Sequence, residues 1–221
     1  MRSRAGKPVI VLDGPAGAGK STVSREVARR LGLPFLDTGA IYRAITLVML
    51  RDGIPPRDVS RLTERLRGFS VSFPGGRVTV CGEDVTDAIR TQEIDSQVSG
   101  YSAVPELRRS ILDIQRQGAS EGLVAEGRDM GTVVFPDADL KIFLTASPEA
   151  RARRRYNERL ERGQTPDYEE ILDQVNRRDA IDSNRDVAPL KPAWDAICFD
   201  TTGMSFDDVV SGILGYAAGL L

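Results

Sequence analysis

Residues 13–22 read DGPAGAGKST, a stretch whose residue types and spacing suit it to holding phosphates. The part from Gly14 to Ser21 fits the pattern G-x-x-x-x-G-K-[ST] in full. In this pattern backbone amides point inward at phosphate oxygens, the lysine reaches the β- and γ-phosphates, and the hydroxyl ligates Mg²⁺. We therefore predict these two roles for Lys20 and Ser21, toward a nucleoside triphosphate that we expect to be ATP. A glycine-rich turn without a ligand is the alternative, but the loop also lies between a predicted strand and a predicted helix, as the motif requires.

Arginines recur at helical spacing in two later segments. The first set lies at i, i+3, i+4 and the second, with one aspartate, at i, i+4, i+7: Arg151, Arg154 and Arg155, then Arg178, Asp182 and Arg185. A guanidinium group grips phosphate oxygens bidentately and stays charged, and phosphoryl transfer needs spreading negative charge to be neutralised. We predict that an arginine-bearing helix closes as a lid, which would also keep water from the transferred group.

The acceptor of the phosphoryl group is open at this point: water, a protein or a small molecule. A GTPase switch would need a guanine-reading N-K-x-D element, and the sequence contains no such string. The absence disfavours a switch and leaves an ATPase possible.

Composition excludes several other classes of function. The chain has 221 residues and a formal net charge of −2, which gives no electrostatic case for nucleic acid or an anionic membrane. No apolar run approaches the roughly 18 residues that a membrane span needs, and the basic start lacks a signal-peptide cleavage site, so we expect a cytoplasmic protein. Histidine is absent, which excludes a Ser-His relay and a histidine metal cage.

Two cysteines, Cys81 and Cys198, lie far apart and form no C-x-x-C pair. Free cysteine is among the most buried residue types, so we expect both side chains to be buried.

Strand and helix patterns alternate along most of the chain. Short apolar runs predict strands at residues 7–13, 122–127, 139–146 and 195–202, and residues 34–39 predict a short strand and turn. Helical spacing follows the glycine loop up to Gly32, and it recurs at about 40–51, 59–66, 107–114, 147–162, 168–182 and 205–221. This alternation predicts an α/β fold whose parallel sheet is covered by helices on both faces, with the ligand beyond the carboxyl ends of the strands.

The pattern changes near Gly68, where FSVSF and RVTVCG alternate apolar and polar residues across a Pro-Gly-Gly turn. That is typical of a β-hairpin with one exposed face. We predict a small inserted lobe at residues 68–100 and a core of residues 1–67 and 101–221, with the lid at about 150–185.

Five stretches resemble bacterial cytidylate kinases in order and spacing: DGPAGAGKST, LDTGAIYRA, GEDVTDAIRTQEID, AEGRDMGTVVFPDADLKIFLTAS and RRDAIDSNRDVAPL. The resemblance covers about residues 8–216, and the last two stretches are its most specific part. It implies transfer of the γ-phosphate of ATP to CMP or dCMP, with Mg²⁺. It also implies a P-loop NTP hydrolase-like core, an arginine-rich lid, and a nucleoside-monophosphate-binding role for the inserted lobe.

The resemblance also implies roles for individual residues. Donor phosphates would be held by Gly14, Pro15, Ala16, Gly17, Ala18, Gly19, Lys20, Ser21 and Thr22. The acceptor nucleotide would be held by Thr38, Arg43, Ser99, Arg108, Arg128, Asp129, Arg178, Asp182 and Arg185. Within this set Ser99, Arg108 and Asp129 would read cytosine, Arg43, Arg128 and Arg185 the phosphate, and Arg178 and Asp182 the ribose. Charges at the reacting groups would come from Lys20, Arg128, Asp129, Arg154, Arg155 and Arg185.

Three alternatives stay open. Ser96 and Ser102 are rivals of Ser99 for the cytosine contact. The acceptor could be another small molecule, such as shikimate or dephospho-coenzyme A. The chain could also be a module that binds ATP and responds by changing shape, although such a module would not need a second set of arginines. We expect a monomer without a nucleic-acid or membrane partner.

Overall fold

A computed structural model describes residues 6–220. Its strands, in chain order, are β1 (Val9–Asp13), β2 (Phe35–Asp37), β3 (Val71–Ser72), β4 (Thr79–Val80), β5 (Glu83–Asp84), β6 (Leu123–Glu126), β7 (Leu140–Thr145) and β8 (Ile197–Asp200). Its α-helices are α1 (Lys20–Leu31), α2 (Thr38–Arg51), α3 (Val59–Leu66), α4 (Gln92–Ser102), α5 (Pro105–Arg116), α6 (Pro148–Glu161), α7 (Tyr168–Ser183) and α8 (Phe206–Ala217). No helix within residues 6–220 is both long and apolar enough to cross a bilayer.

The described residues form two compact units: residues 6–36 with 116–220, and residues Asp37–Gln115. The first unit contains the sheet with strand order β2-β6-β1-β7-β8. Strand β1 pairs in parallel with both β6 and β7, and β7 pairs in parallel with β8. A central strand of such a sheet must bury both of its faces. Accordingly Ile10, Val11 and Leu12 are each 0% exposed, which confirms the predicted sheet covered on both sides.

One face of this sheet packs against α1 and α8. The core there joins Leu12 of β1 and Leu144 of β7 to Val27 of α1 and Ile213 of α8. The helical spacing of apolar residues in α1 and α8 therefore supplies the surface that holds β1 in place. The glycine loop runs from the carboxyl end of β1 into α1, so it is anchored at both ends.

Capping residues fix where the first unit's later helices begin. Ser147 accepts a hydrogen bond from Ala150 N at the start of α6, and Pro148 is the first helical residue. Ser205 caps α8 in the same way, through Asp208 N. Serine before the first turn and proline as the first helical residue are typical of helix starts. Asp167 accepts from Glu170 N and starts α7, which leaves residues 162–167 as the turn between α6 and α7.

The second unit combines helices with a small antiparallel sheet of strand order β3-β4-β5. Helix α2 packs against α4, and the Tyr101 hydroxyl donates to the Ile54 carbonyl oxygen at 2.7 Å. The predicted hairpin is present, with β3 and β4 paired antiparallel across residues 73–78. Its strands are only two residues long. The sheet falls inside the predicted lobe of residues 68–100, whereas the compact unit extends over Asp37–Gln115 because α2 and α4 pack together. The nucleotide-binding role of the lobe stays a prediction.

The expectation of two buried cysteines is wrong, because both Cys81 and Cys198 are exposed. Cys81 follows the two-residue strand β4 with φ 50°, and its thiol lies beside the hydroxyl of Ser70, which is itself exposed. Cys198 lies on β8, an edge strand on which Ile197 and Phe199 face the core, so the residue between them points outward.

Candidate active site

The glycine loop follows β1 at the carboxyl edge of the first unit's sheet. Gly14 has φ 145°, and a Cβ atom placed there would lie 2.1 Å from the Leu144 carbonyl oxygen on the neighbouring strand. Only glycine permits this close approach. Gly19, with φ 86°, precedes α1 and provides no side-chain cap, so no capping side chain occupies the first amides of the helix. A loop of this form presents backbone N–H groups and a helix N-terminus to a phosphate.

Lys20 and Ser21 are the first two residues of α1. The Lys20 ammonium is buried and donates to the Pro15 carbonyl oxygen at 2.9 Å, across the loop. Burial lowers the pKa of Lys20; the charges of Arg128 and Arg178 lower it further, whereas the Glu126 carboxylate opposes this. An approaching phosphate would favour the charged form.

The hydroxyls of the loop have defined partners. Ser21 Oγ donates to a carboxylate oxygen of Glu126, at the carboxyl end of β6, and Thr22 Oγ1 donates to the Gly19 carbonyl oxygen at 2.9 Å. A hydroxyl beside a carboxylate is a donor set that suits Mg²⁺, which binds one or two protein oxygens and completes its shell with water and phosphate. Within residues 6–220 no group of three or more His, Cys, Asp and Glu residues could hold a metal by itself.

A second cluster of charges lies after β6. Arg128 Nε donates to Asp182 Oδ2 at 3.0 Å, and Arg185 Nη1 lies 3.8 Å from Asp182 Oδ1. Arg185 also donates to the Ala188 carbonyl oxygen at 2.7 Å. Burial raises the pKa of Asp182, but the charges of Arg128, Arg178 and Arg185 outweigh it and hold the pKa below its ordinary value. The structure thus brings these four predicted residues together around one buried carboxylate.

Asp13 belongs to this region although sequence reasoning did not select it. It ends β1 with 4% of its surface exposed, and its carboxylate accepts from Met130 N at 2.8 Å and Gly131 N at 2.7 Å. Burial raises the pKa of Asp13 to about 6, against the effect of these two hydrogen bonds. A charged residue that closes an otherwise apolar strand just before the loop was the sequence feature that could have identified it.

The arginines of α6 contact the glycine loop and neighbouring elements in this structure. Arg151, which belongs to the predicted arginine set but was given no role at the reacting groups, is buried. It donates to the Ala16 carbonyl oxygen of the loop at 3.1 Å and forms a two-point ion pair with Asp179 of α7. Arg154 donates to the Ala18 carbonyl oxygen at 3.4 Å and to Thr201. Arg155 is half-buried on α6. The phosphate contacts of Arg154 and Arg155 stay predictions.

Four further predicted residues, Thr38, Arg43, Ser99 and Arg108, lie in the second unit. Thr38 is buried as the first residue of α2, and Arg43 donates to Asp95 Oδ1 through Nε at 3.2 Å and Nη2 at 3.0 Å. Arg108 is buried, donates to the Ser102 carbonyl oxygen at 2.8 Å, and places its guanidinium 5.2 Å from the Tyr42 ring centroid. These contacts fix both guanidinium groups.

Three serines of α4 were candidates for the predicted cytosine contact, and their surroundings differ. Ser99 is buried, whereas Ser96 is exposed and donates to the Glu93 carbonyl oxygen. Ser102 donates to the Ser99 carbonyl oxygen at 3.2 Å, and its own carbonyl oxygen accepts from Arg108. Ser99 and Arg108 are thus linked through Ser102.

Comparison with known proteins agrees with the motifs. A family model described as Cytidylate kinase matches residues 10–218. A cytidylate kinase of Mycobacterium leprae (strain Br4923) is 48% identical over 209 residues, covering 93% of each chain. One of Streptococcus gordonii is 48% identical over 210 residues, covering 92% of this chain and 93% of the relative.

Solved structures support the fold alone. An uncharacterized protein from Eubacterium ventriosum ATCC 27560 has a TM-score of 0.54 and 12% identity, covering 96% of this chain and 99% of its own. A gluconokinase from Sinorhizobium meliloti 1021 has a TM-score of 0.50 and 17% identity, covering 98% of this chain and 95% of its own. The parallel sheet is therefore one that kinases also use, and the identification of a family rests on the sequence relatives.

Proposed function

The chain belongs to the cytidylate kinase family, and from that premise we propose how its residues carry out the reaction. It is a phosphotransferase that moves the terminal phosphoryl group of ATP to CMP or dCMP, giving ADP and CDP or dCDP.

The donor side of the proposal concerns the glycine loop. Backbone amides of residues 14–22 hold the phosphates of ATP, and Lys20 leaves the Pro15 carbonyl oxygen to contact the β- and γ-phosphates. Ser21, with Glu126 beside it, holds Mg²⁺; the ion when bound would neutralise phosphate charge and orient the oxygens. Two observations support this. Ser21 donates a hydrogen bond to Glu126, and the Lys20 ammonium interacts electrostatically with Glu126 at the end of β6 and with Asp13 at the end of β1.

The acceptor contacts are proposed for each unit by itself. In the first unit Arg128 and Arg185 bind the acceptor phosphate, Arg178 and Asp182 contact the ribose, and Asp129 accepts a hydrogen bond from the 4-amino group of cytosine.

In the second unit Arg43 and Thr38 contact the acceptor nucleotide, and Ser99 and Arg108 donate to N3 and O2 of the base. A carboxylate paired with such donors distinguishes cytosine from uracil, which has an oxygen at position 4 and a proton on N3.

Little covalent chemistry is required of the protein. The two substrates must lie in line, and fixed cations must neutralise the charge that spreads over the transferred group. Each cation, among them Lys20, Arg128, Arg185 and the proposed lid residues Arg154 and Arg155, contributes about 3 kcal/mol by analogy with an oxyanion-hole donor. No obvious general base is present, and we expect none to be required beyond Asp129.

A single observation carries the proposal. Arg128 and Arg185 contact the same buried carboxylate, Asp182, so two cations beyond the loop lysine are fixed in the first unit. A module that only bound ATP would have no use for this second set, whereas a kinase needs it for the acceptor phosphate. Arg128 and Arg185 could also bind the phosphate of a different acceptor. The proposed contact between Asp129 and the cytosine base favours CMP or dCMP over such an acceptor.

An acceptor panel tests the proposal. The purified chain is given ATP and Mg²⁺ with CMP, dCMP, UMP, shikimate, dephospho-coenzyme A or no acceptor, and ADP release is followed by a coupled assay. We expect release to depend on CMP or dCMP. Dependence on another compound would favour a different small-molecule kinase, and release without any acceptor would favour an ATPase.

We further propose that the chain acts as a cytoplasmic monomer without a nucleic-acid partner. The support is the near-neutral net charge of −2, which attracts neither nucleic acid nor an anionic membrane. A sedimentation-velocity run at several concentrations would test the monomer.

A further inference from the structure

We propose that Asp13 is a positioning residue for the acceptor: its carboxylate caps the turn after β6, so that the neighbouring Asp129 carboxylate serves the base instead of capping its own turn. The inference rests on the proposed function, since it assumes that Arg128 and Asp129 bind the acceptor nucleotide. It gives a role to a buried charge that the reaction itself does not use.

The turn in question is a short π-helical segment, Met130–Val134, for which Asp129 is the residue before the first. The first amides of any helical turn lack a partner within the turn, and an aspartate in this preceding position ordinarily accepts from them. Asp129 makes no such side-chain capping bond. Its carbonyl oxygen instead accepts from Val133 N at 2.9 Å and Val134 N at 3.2 Å, which holds its backbone in the turn.

Asp13 supplies the missing cap from another strand. Its two carboxylate oxygens each accept one amide, from Met130 and from Gly131. Gly127 N donates to the Leu12 carbonyl oxygen at 3.0 Å, so the segment is also tied to β1 at its other end. Arg128 and Asp129 lie between these two attachments. The strand that leads into the donor loop therefore also fixes the two residues proposed to hold the acceptor.

The alternative is that Asp13 only stabilises the fold. The two roles differ in what a change to asparagine does. The asparagine oxygen can accept from one amide, but its NH₂ group then faces the other N–H and cannot accept it. The amide left over would draw the Asp129 carboxylate into the ordinary capping position. A stabilising role would lower the melting temperature alone, whereas a positioning role would also alter acceptor use.

The test compares Asp13→Asn with the parent and with Asp139→Asn. Asp139 Oδ2 accepts from Val9 N at 2.8 Å, so the control changes a carboxylate bonded to a backbone amide at the opposite end of the same strand. For Asp13→Asn we expect the KM for CMP to rise about tenfold or more, since bonds to charged acceptors are among the stronger ones. The KM for ATP should change less than about threefold, and the preference for CMP over UMP should fall. Asp139→Asn should leave all three values at parental levels.

Equal changes in both KM values, or none, would overturn the inference while leaving the proposed function intact. A parent that does not use CMP at all would overturn both. If Asp13→Asn does not fold, amide hydrogen exchange in the nucleotide-free parent still tests whether the cap on which the inference depends is formed. The Met130 and Gly131 amides should be protected, and exchange as fast as in an unstructured peptide would show that the cap does not form.

Discussion

Charged residues differ in their solvent exposure between two parts of this molecule. The strand-end cluster of the first unit (Asp13, Lys20, Glu126, Asp129, Arg151, Asp182 and Arg185) contains no residue more than 8% exposed. The small sheet of the second unit, β3 to β5, also carries ion pairs, but there the side chains of Arg77 and Asp84 are 59% and 39% exposed.

This contrast separates two uses of charge. Removing a charge from water costs several kcal/mol, and a protein keeps such a group buried where partners and function require it. Exposed pairs cost little and contribute little, so they say almost nothing about function. We therefore propose that the chemistry takes place at the strand-end cluster, and we expect substitutions there to have larger effects than substitutions in the small sheet.

Replacing Lys20 should have the largest effect. Lys20→Met keeps much of the length of the side chain but removes the cation proposed to meet the β- and γ-phosphates, so kcat should fall by about 10²–10³. Thermal stability should not fall, because a buried charge is replaced by an apolar group. Steady-state kinetics and a melting curve measure both. Lys191→Met changes an exposed lysine and is the control. A Lys20→Met variant with the parental kcat would show that Lys20 does not take part in the reaction.

Arg151 should matter most for stability. Arg151 donates hydrogen bonds to the Asp179 carboxylate and to the Ala146 and Ala16 carbonyl oxygens, and Arg151→Met removes all of them. Arg151 is buried, but the Asp179 side chain is 25% exposed, so the loss should cost about 3 kcal/mol, the lower end of the range for a broken buried pair. Urea denaturation would measure it.

Arg153→Met is the matched control for this change. Arg153 lies on the exposed side of the same helix, 4.5 Å from the Tyr168 ring centroid, and its loss should cost about 1 kcal/mol or less. Equal losses at positions 151 and 153 would mean that burial does not distinguish the arginines of α6.

Asp13 should give a pH effect of intermediate size. Its pKa is about 6 in the folded chain against 3.8 for an ordinary aspartate, so the folded state binds this proton more tightly. The resulting stabilisation is complete below pH 3.8 and is lost as the pH rises through about 6, a change of about 3 kcal/mol. The stability of the parent relative to Asp13→Asn should therefore be greater at pH 5 than at pH 7. A carboxyl NMR titration with its midpoint near 4 would contradict this.

The smallest effect is expected in the small sheet. Arg77→Ala removes an exposed ion pair with Asp84, so the melting temperature should move by about 1 °C or less and both KM values should stay at parental levels. A clear change in the KM for CMP would show that the small sheet takes part in binding, against the contrast drawn above.

Local patterns predicted most of the fold. The apolar runs gave the strands of the parallel sheet, and Gly32 ends α1 with φ 64° where the periodicity stops. Burial of Cys198 was predicted wrongly because residue type does not reveal which side of an edge strand faces solvent. The short length of the strands around Cys81 could not be predicted either, since a hairpin pattern does not specify how many residues pair.

The candidate site was only partly visible in the sequence. Loop motifs select Lys20 and Ser21 because adjacent residues act together there. Asp13 was missed, and the buried role of Arg151 was not foreseen. Their partners, Met130 and Asp179, are distant in the chain and meet them only after β1 and β6 pair and α6 packs against α7. Helical spacing did place Arg151 with Arg154, but spacing alone does not show which guanidinium turns inward.

The most direct test of the account is the fate of the transferred phosphoryl group. The chain is incubated with ATP, Mg²⁺ and CMP, and ³¹P NMR follows every product. Transfer between a held donor and a held acceptor, with water kept away, predicts ADP and CDP in equal amounts and almost no inorganic phosphate. ADP accompanied by inorganic phosphate, without CDP, would contradict it.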